Sequence, residues 1–223
     1  MQVIHLIEQR SLSRRATQFT FRARFRHVAG QYVALQLEIG GTTARRYYSI
    51  ASPPRPDGAI QICIRHDGAF GRHLIGLRAG DAVECSAPSG KMRLLDPKKP
   101  AVYFAAGTGV SPMRAILLAH LEDNPQADAT LALGARWRDE LLYRNEFDAL
   151  ARQHGKFRFL PVVSGDDREW PGSRGRVTDH VEAVLRGRRN VDAYFCGQRE
   201  MVLELRRKLE SAGIPDERQC YER

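Results

Sequence analysis

The tetrapeptide Arg46-Tyr47-Tyr48-Ser49 places a cation, aromatic rings and a hydroxyl within one short segment. A cation pairs with a phosphate, an aromatic face stacks on a flat ring, and a hydroxyl hydrogen-bonds to a polar ring edge. A flavin nucleotide presents all three of these partners. The tetrapeptide therefore indicates a flavin site.

A second motif, Gly-Thr-Gly-Val-Ser-Pro at residues 107–112, follows an apolar run and precedes an amphipathic stretch. Glycines let the backbone approach a phosphate closely, and the N-terminus of a helix attracts an anion. We expect Ser111 to cap that helix and Pro112 to occupy its first turn. A tight turn without a ligand would use the same residue types, but the position after the first motif favours a nicotinamide site.

The 223 residues are 43% hydrophobic and 27% charged, which is typical of a globular protein with one large or two small domains. No apolar stretch approaches the roughly 18 residues that a membrane span requires. The N-terminus lacks a basic segment leading into an apolar one. We therefore expect a soluble cytoplasmic protein, a monomer that contacts no membrane.

The four cysteines are dispersed, and no pair has the spacing of a metal clip or an iron–sulfur loop. No histidine has metal-ligand spacing or accompanies a recognisable nucleophile. We expect neither a metal site nor an iron–sulfur cluster in this chain.

The formal net charge of +9 favours an acidic partner through long-range attraction. The arginines are spread along the whole chain without a basic block or a nucleic-acid motif, so we expect no nucleic acid. A solvated basic surface with no partner would give the same charge.

The hydrophobic pattern changes once along the chain. Apolar residues alternate with polar or small ones across 33–39 and 60–64, which predicts strands with one buried face. For residues 1–97 we therefore predict an all-β domain, an antiparallel six-stranded β-barrel.

The polar, proline-bearing segment 96–100 marks the change. Beyond it, near-continuous apolar runs alternate with stretches of helical spacing, as in a parallel sheet covered by helices on both faces. We predict an α/β domain over residues 98–223. The predicted strands cover 101–106, 130–133, 157–163 and 191–195, and the helical stripes lie at 113–121, 177–185 and 201–209.

These motifs resemble those of the ferredoxin–NADP reductase family, whose members join an FAD-binding barrel to a nicotinamide-binding α/β domain. The family's arginine, any residue, tyrosine and serine match Arg46, Tyr48 and Ser49. By this resemblance Arg46 pairs with the pyrophosphate, Tyr48 stacks on the flavin ring, and Ser49 hydrogen-bonds near its reactive nitrogen. Tyr47, between them, is also assigned to the cofactor site.

The family's next element is a glycine followed after two residues by serine or threonine, ahead of a short helix that holds the pyrophosphate. Gly71 stands where that hydroxyl residue is expected, which removes one hydrogen bond and leaves FMN as an alternative to FAD. The resemblance assigns the cofactor residues of this region to Cys63, Ile64, Arg65, Gly68, Phe70, Gly71 and Arg72.

In the second half, the resemblance places Thr108 between the flavin and the nicotinamide. Cys196 and Gly197 end a strand beside the nicotinamide ring, so Cys196 joins Ser49 as a candidate catalytic residue, although a buried strand-end cysteine needs no such role. The residues assigned to this dinucleotide are Gly107, Thr108, Gly109, Pro112, Arg136, Ser164, Cys196 and Gly197.

The choice between NADH and NADPH stays open. Arg136 and Arg138 suit the 2′-phosphate of NADPH, but Asp139 and Glu140 lie beside them in the sequence, and Ser164 is followed by glycine and two aspartates. The balance leans slightly toward NADH.

The C-terminal segment, Gln219 to Arg223, departs most from the family pattern. Many relatives end on an aromatic residue that covers the flavin, and Tyr221 is the aromatic available here. Others continue into a ferredoxin domain. Either a partner protein carries the iron–sulfur centre or the chain is cut from a longer one.

The resemblance implies hydride transfer from NAD(P)H to FAD, followed by single-electron transfer to a separate acceptor. An acidic ferredoxin, a flavodoxin or the iron–sulfur component of an oxygenase suits a basic chain. Two alternatives remain: a reductase of small acceptors such as ferric chelates, free flavin or quinones, and a non-turnover flavoprotein subunit of a larger electron-transfer complex.

Overall fold

A computed structural model describes residues 1–222, and Arg223 lies outside the described residues. Within this range the strands form two six-stranded sheets, one antiparallel and one parallel. The change of pattern at residues 96–100 falls between them. Both predicted classes of sheet are therefore confirmed.

The N-terminal sheet has the order β4-β3-β6-β1-β2-β5. Its inner face carries the alternating apolar residues that the sequence predicts, and helix α1 packs on it at Phe70 and Leu74. The elements are β1 Gln2–Ser13, β2 Ala16–Arg22, β3 Tyr32–Ile39, β4 Thr42–Ser49, β5 Ala59–Arg65, α1 Gly68–Ile75 and β6 Ala82–Cys85.

The N-terminal sheet is not closed into the predicted barrel. Strands β4 and β5 stand at its two edges, and a single isolated bridge, Ile50 to Ile62, joins the end of β4 to β5. The chain leaves β4 at Ser49 and turns away after Ala51, so the ladder between the edges stops after one pair. This opening lies beside Tyr48 and Ser49, where the flavin motif is located.

The C-terminal sheet is parallel, with the order β10-β9-β8-β7-β11-β12. Its inner strands are almost wholly buried because helices cover both faces. The strands are β7 Ala101–Ala106, β8 Ala129–Ala135, β9 Phe157–Val163, β10 Ser173–Arg174, β11 Asp192–Cys196 and β12 Gln219–Tyr221.

Four helices pack against the C-terminal sheet in the described part of the chain. Helices α2 and α5 contain two of the predicted stripes, whereas the stripe at 177–185 is divided between a 3₁₀ turn, Val177–His180, and helix α4. Gly213, with φ of +84°, follows the end of α5. Helix α3 has one fully buried residue, Phe147, and no stripe that the sequence pattern distinguished. The helices are α2 Val110–Asp123, α3 Arg144–Gln153, α4 Val181–Leu185 and α5 Arg199–Ser211.

The two sheets share an apolar boundary. Ala16, Ala29, Cys63 and Met92, from the N-terminal part, are buried in one cluster with the residues of α2. No helix among residues 1–222 is long and apolar enough to cross a bilayer.

Candidate functional site

A cavity of about 300 Å³ opens where β4, β5 and α1 meet the turn after β7. Eight of its nine lining residues belong to the sequence-predicted set, and Thr108 comes from the C-terminal sheet. The fold thus brings the two sequence motifs to one place. The lining residues are Arg46, Tyr47, Tyr48, Cys63, Arg65, Asp67, Phe70, Gly71 and Thr108.

Strand β4 positions Arg46 and Tyr48 on one face. They pair with Leu35 and Val33, whose side chains point into the core. The Tyr48 ring lies 6.1 Å from the Phe70 ring, centroid to centroid. Burial raises the pKa of Tyr48 to about 12, against the opposing effect of the Arg46 charge. The phenol stays neutral at physiological pH and offers an aromatic wall.

Arg46 and Arg65 differ in how far their charges are already compensated. The Arg65 Nε donates to Asp67 at 2.7 Å, and Arg15 approaches the same carboxylate at 3.5 Å. Arg46 donates to the carbonyl of Arg45, and within residues 1–222 no carboxylate forms an ion pair with it. Arg46 is therefore the cation of this cavity available to an anion. Asp67, which sequence reasoning missed, neutralises the charge of Arg65 through their ion pair.

Close packing accounts for the glycine at position 71. A Cβ on Gly71 would overlap the backbone carbonyl oxygen of Arg65, because α1 packs directly on the end of β5. A serine or threonine hydroxyl would not fit there. Gly68 begins the helix with φ of +73°, a conformation that favours glycine.

Three residues predicted for this region are not among those that line the cavity, namely Ile64, Gly68 and Arg72. Ile64 is buried in the core of the N-terminal sheet, so only its backbone faces the site side of β5. Arg72 is exposed on α1 and does not line the cavity.

The prediction that Ser111 caps the helix after β7 is wrong. Gly107, with φ of +54°, opens a 3₁₀ turn, and α2 begins at Val110 with Gly109 in the cap position. A Cβ on Gly109 would overlap the carbonyl oxygen of Cys196, so this turn packs directly on the end of β11. Ser111 and Pro112 follow as buried residues of the first turn.

Ser49 is linked to a carboxyl group that sequence reasoning missed. Its Oγ donates to the Glu222 carboxylate at 3.4 Å. Strand β12 pairs with β11 in parallel, with Tyr221 opposite Phe195, which places Glu222 beside Cys196. The only signal for Glu222 was its place in the short terminal segment, since a three-residue strand has no visible period.

Burial raises the pKa of Glu222, which favours the protonated acid, although the bond from Ser49 opposes that shift. Burial, and secondarily the Glu222 charge, raise the pKa of Cys196 to about 12. Cys196 therefore remains a thiol and no nucleophile forms there. Ser49, Glu222 and Cys196 make a small polar cluster where the two sheets meet.

The Tyr221 side chain faces away from the cavity. Its ring stacks on Phe195 at 4.9 Å, and the Arg206 guanidinium lies 5.0 Å from its centroid. The ring packs against the apolar cluster beneath α5 and does not line the cavity. The structure therefore does not bring Tyr221 to the flavin-type residues.

The charged side chains that follow β8 form ion pairs with different parts of the chain. Arg138 is paired with Asp167 and Glu169. The carboxylates of Asp139 and Glu140 reach across to Arg14 and Arg15 of the N-terminal sheet, each at 3.8 Å.

Arg136 is exposed, with its guanidinium 5.5 Å from the Trp137 ring centroid. No carboxylate within residues 1–222 pairs with Arg136. The Ser164 hydroxyl, beside it, donates to the carbonyl of Ala135 at 3.3 Å. Arg136 is thus the basic side chain at this strand end that remains available to an anion.

The residues of the cavity fit a flavin nucleotide. Tyr48 and Phe70 supply aromatic surface, Arg46 supplies a charge that pairs with no carboxylate among residues 1–222, and α1 begins at the rim with the N–H groups of its first turn. On the other side, the turn at 107–109 and the end of β11 expose backbone at the carboxyl ends of parallel strands, where dinucleotides bind in α/β sheets. Fold and site together define a two-domain oxidoreductase that binds a flavin and a nicotinamide.

Comparisons with known proteins agree with this class. Residues 3–94 match the family model described as oxidoreductase FAD-binding domain, and residues 104–207 match oxidoreductase NAD-binding domain. The chain is 33% identical to ferredoxin--NADP reductase B of Sorangium cellulosum over 184 residues, which cover 78% of this chain and 75% of that protein. The chain belongs to the ferredoxin–NADP reductase family, and its cofactors are FAD and NAD(P)H.

Two further similar proteins are reductase components of oxygenase systems or of a cytochrome P450 by their names. The reductase component DmpP of phenol 2-monooxygenase from Pseudomonas sp. strain CF600 is 35% identical over 181 residues, 78% of this chain and 51% of that protein. The solved structure of the Amycolatopsis cytochrome P450 reductase GcoB superposes with a TM-score of 0.87 at 27% identity, covering all of this chain and 69% of that one. The chain spans about half the length of the oxygenase reductases it matches.

Proposed function

We propose that this chain is the flavin- and nicotinamide-binding part of an NAD(P)H-dependent reductase that delivers electrons to a separate protein. Residues 1–97 would form the FAD domain and residues 98–223 the NAD(P) domain. The observation that carries the proposal is the shared cavity, in which Arg46 and Tyr48 of the N-terminal sheet meet Thr108 of the turn after β7.

When bound, a flavin accepts a hydride from a reduced nicotinamide and returns electrons one at a time. The protein's contribution is alignment. Arg46 binds the pyrophosphate, and Tyr48 and Phe70 hold the ring. Cys63, Gly68 and Gly71 bring the backbone and small side chains against it.

The polar cluster holds a proton close to the reacting rings. Ser49 donates to Glu222, and burial raises the pKa of that carboxyl group, which favours its protonated form. The small side chain of Cys196 leaves room for a nicotinamide to approach from the C-terminal part, and the backbone of Gly197 follows it at the end of β11. Gly107, Gly109 and Arg136 bind the phosphates and the adenosine end of the dinucleotide.

For the acceptor we propose an acidic ferredoxin, flavodoxin or oxygenase component. The net charge of +9 supports electrostatic attraction to such a partner. Relatives named as electron transfer components of xylene/toluene monooxygenase and toluate 1,2-dioxygenase support delivery to oxygenase systems. We also propose a cytoplasmic monomer, in which the four free thiols stay reduced.

The test is steady-state oxidation of NADH and NADPH with a matched panel of acceptors. The proposal predicts fast reduction of an acidic ferredoxin, with a rate that falls as salt is raised from about 50 to 500 mM because screening weakens the attraction. Faster turnover of ferric chelates or free flavin, with no salt dependence, would favour the small-acceptor reductase. Bound flavin with no turnover of any acceptor would favour the remaining alternative, a non-turnover flavoprotein subunit of a larger complex.

A further inference from the structure

Arg114 is a buried, charged residue at the boundary between the two sheets. It lies on α2, five residues after Gly109, and is 7% exposed. An arginine is rarely buried unless its charge and N–H groups are satisfied. The partners of Arg114 come from both sides of the boundary.

Within the C-terminal part, Arg114 is held by α3. Its Nε and one terminal nitrogen form a two-pronged pair with the Glu146 carboxylate, at 2.8 to 3.1 Å. The guanidinium lies 4.7 Å from the Tyr143 ring centroid. Glu146 therefore holds the planar guanidinium by hydrogen bonds in its plane, and the Tyr143 ring packs against its flat face.

The remaining nitrogen of Arg114 reaches across the boundary. It donates to the backbone carbonyl of Ala51 and to the side-chain carbonyl of Gln61, the latter at 2.9 Å. Ala51 lies two residues after Ser49, and Gln61 lies on β5, two residues before Cys63 of the cavity. One side chain thus joins the strand ends that carry the flavin motif to the helix that opens with the nicotinamide turn.

Tyr143 carries a second, independent sign of constraint. It has φ of +59°, a left-handed conformation that an aromatic residue rarely adopts. Its ring receives Arg114, and it is buried in the same apolar cluster as Cys63 of the N-terminal part. A strained backbone persists where surrounding contacts overdetermine it. Here those contacts include Arg114, whose remaining nitrogen crosses the boundary, and the buried cluster that Tyr143 shares with Cys63.

We propose that Arg114 is a positioning residue, which sets the distance and angle between the flavin and nicotinamide sites by clamping Ala51 and Gln61 to α2. This inference rests on the proposed function. Because α2 is one rigid element, a displacement at Arg114 is transmitted to the turn at 107–109. Misplacement by about 1 Å is enough to slow a reaction roughly 100-fold.

The decisive variants are Arg114→Met, which keeps the volume and removes the polar contacts, and Gln61→Leu, which removes only the contact across the boundary. Arg144→Met is the matched control, because Arg144 pairs with Asp148 and Trp170 inside the C-terminal part. For Arg114→Met we expect kcat to fall about 10- to 100-fold, with flavin content and the KM for NAD(P)H within twofold of wild type. Gln61→Leu should give a smaller loss of the same kind, and Arg144→Met none.

Two further readouts do not depend on turnover. The long-wavelength absorption that arises when oxidised nicotinamide stacks on reduced flavin should weaken in Arg114→Met at saturating nucleotide. Hydrogen exchange in the flavin-free protein should be faster at residues 49–52 and 61–63 than in the control.

A normal kcat in Arg114→Met would overturn the inference, as would a loss explained wholly by released flavin or a raised KM. If Arg114→Met does not fold, Gln61→Leu decides on the same criteria. Wild-type protein that holds flavin but oxidises neither NADH nor NADPH would overturn the proposed function instead. The exchange measurement would still test the clamp.

Discussion

Ser49 and Glu222, 173 positions apart in the chain, are joined by a hydrogen bond in which the serine hydroxyl donates to the carboxylate at 3.4 Å. This bond closes the fold across the boundary between the sheets. It also fixes the flavin motif against the strand that ends in Cys196. The first prediction concerns this pair.

Glu222→Gln should slow reoxidation of the reduced flavin by a one-electron acceptor about 10- to 100-fold, because reoxidation releases a proton that a carboxyl group can relay and an amide cannot. Flavin content should stay at the wild-type level. Stopped-flow measurement of the return of flavin absorbance gives the rate, and equal rates in the two proteins would remove Glu222 from the mechanism.

The same substitution predicts a pH-dependent difference in stability. Burial raises the pKa of Glu222 above its unfolded value, so the native state favours the neutral acid. That stabilisation is complete below the unfolded pKa and is lost as pH rises through the folded one. Glutamine resembles the neutral acid, so Tm of the variant relative to wild type should increase from about pH 4 upward. A constant difference between pH 4 and 8 would contradict the raised pKa.

Tyr48→Ala and Cys196→Ala should have opposite signatures. Loss of the Tyr48 ring removes about 1–3 kcal/mol of stacking, so flavin affinity should fall roughly 10- to 100-fold. Cys196→Ala should leave flavin bound and slow hydride transfer. Absorbance of the purified variants after dialysis measures flavin retention. Flavin loss in Cys196→Ala together with full retention in Tyr48→Ala would reverse the assignment of the two sites.

Arg136→Ala should discriminate between the nicotinamides. Arg138 is already paired with two carboxylates, whereas Arg136 is available to a 2′-phosphate. A lost charge-assisted bond costs about 1.5–3 kcal/mol, so kcat/KM for NADPH should fall roughly 10- to 100-fold and that for NADH by less than about twofold. Arg138→Ala is the comparison, with a smaller effect expected. Equal losses with both nucleotides would exclude this role for Arg136.

Gly109→Ala should destabilise the protein by about 1–3 kcal/mol, because the added Cβ meets the backbone carbonyl of Cys196. Gly155→Ala is the control, since nothing lies within 4 Å of a Cβ there. Urea unfolding of both variants measures the difference. A Gly109→Ala protein as stable as the control would show that the turn does not need this close approach.

Much of this arrangement could be predicted from sequence. Alternation in β3 and β5 and the apolar runs of β7 and β9 reflect burial on one or two faces, and that burial is a property of local pattern. The grouping of Arg46, Tyr48 and Phe70 with Thr108 followed from the family motifs.

Other features depend on tertiary packing that no local pattern records. The helix cap is Gly109 and not the predicted Ser111, because the turn at 107–109 packs on the backbone of Cys196. In helix α3 only Phe147 is fully buried, and Leu150 and Ala151 pack beside it as partly buried residues, a stripe too short for the sequence pattern to have distinguished. The side chains of Tyr221 and Glu222 lie in different surroundings because of the register of the three-residue strand β12, and only the pairing of β12 with β11 defines that register.

In the proposed function, one chain brings a flavin and a nicotinamide together for hydride transfer. The most direct test is anaerobic mixing of the purified protein with NADH or NADPH while flavin absorbance near about 450 nm is recorded. We expect about one FAD per chain and complete bleaching within seconds by at least one nucleotide. A protein without the flavin band, or with a band that neither nucleotide bleaches, would contradict the account.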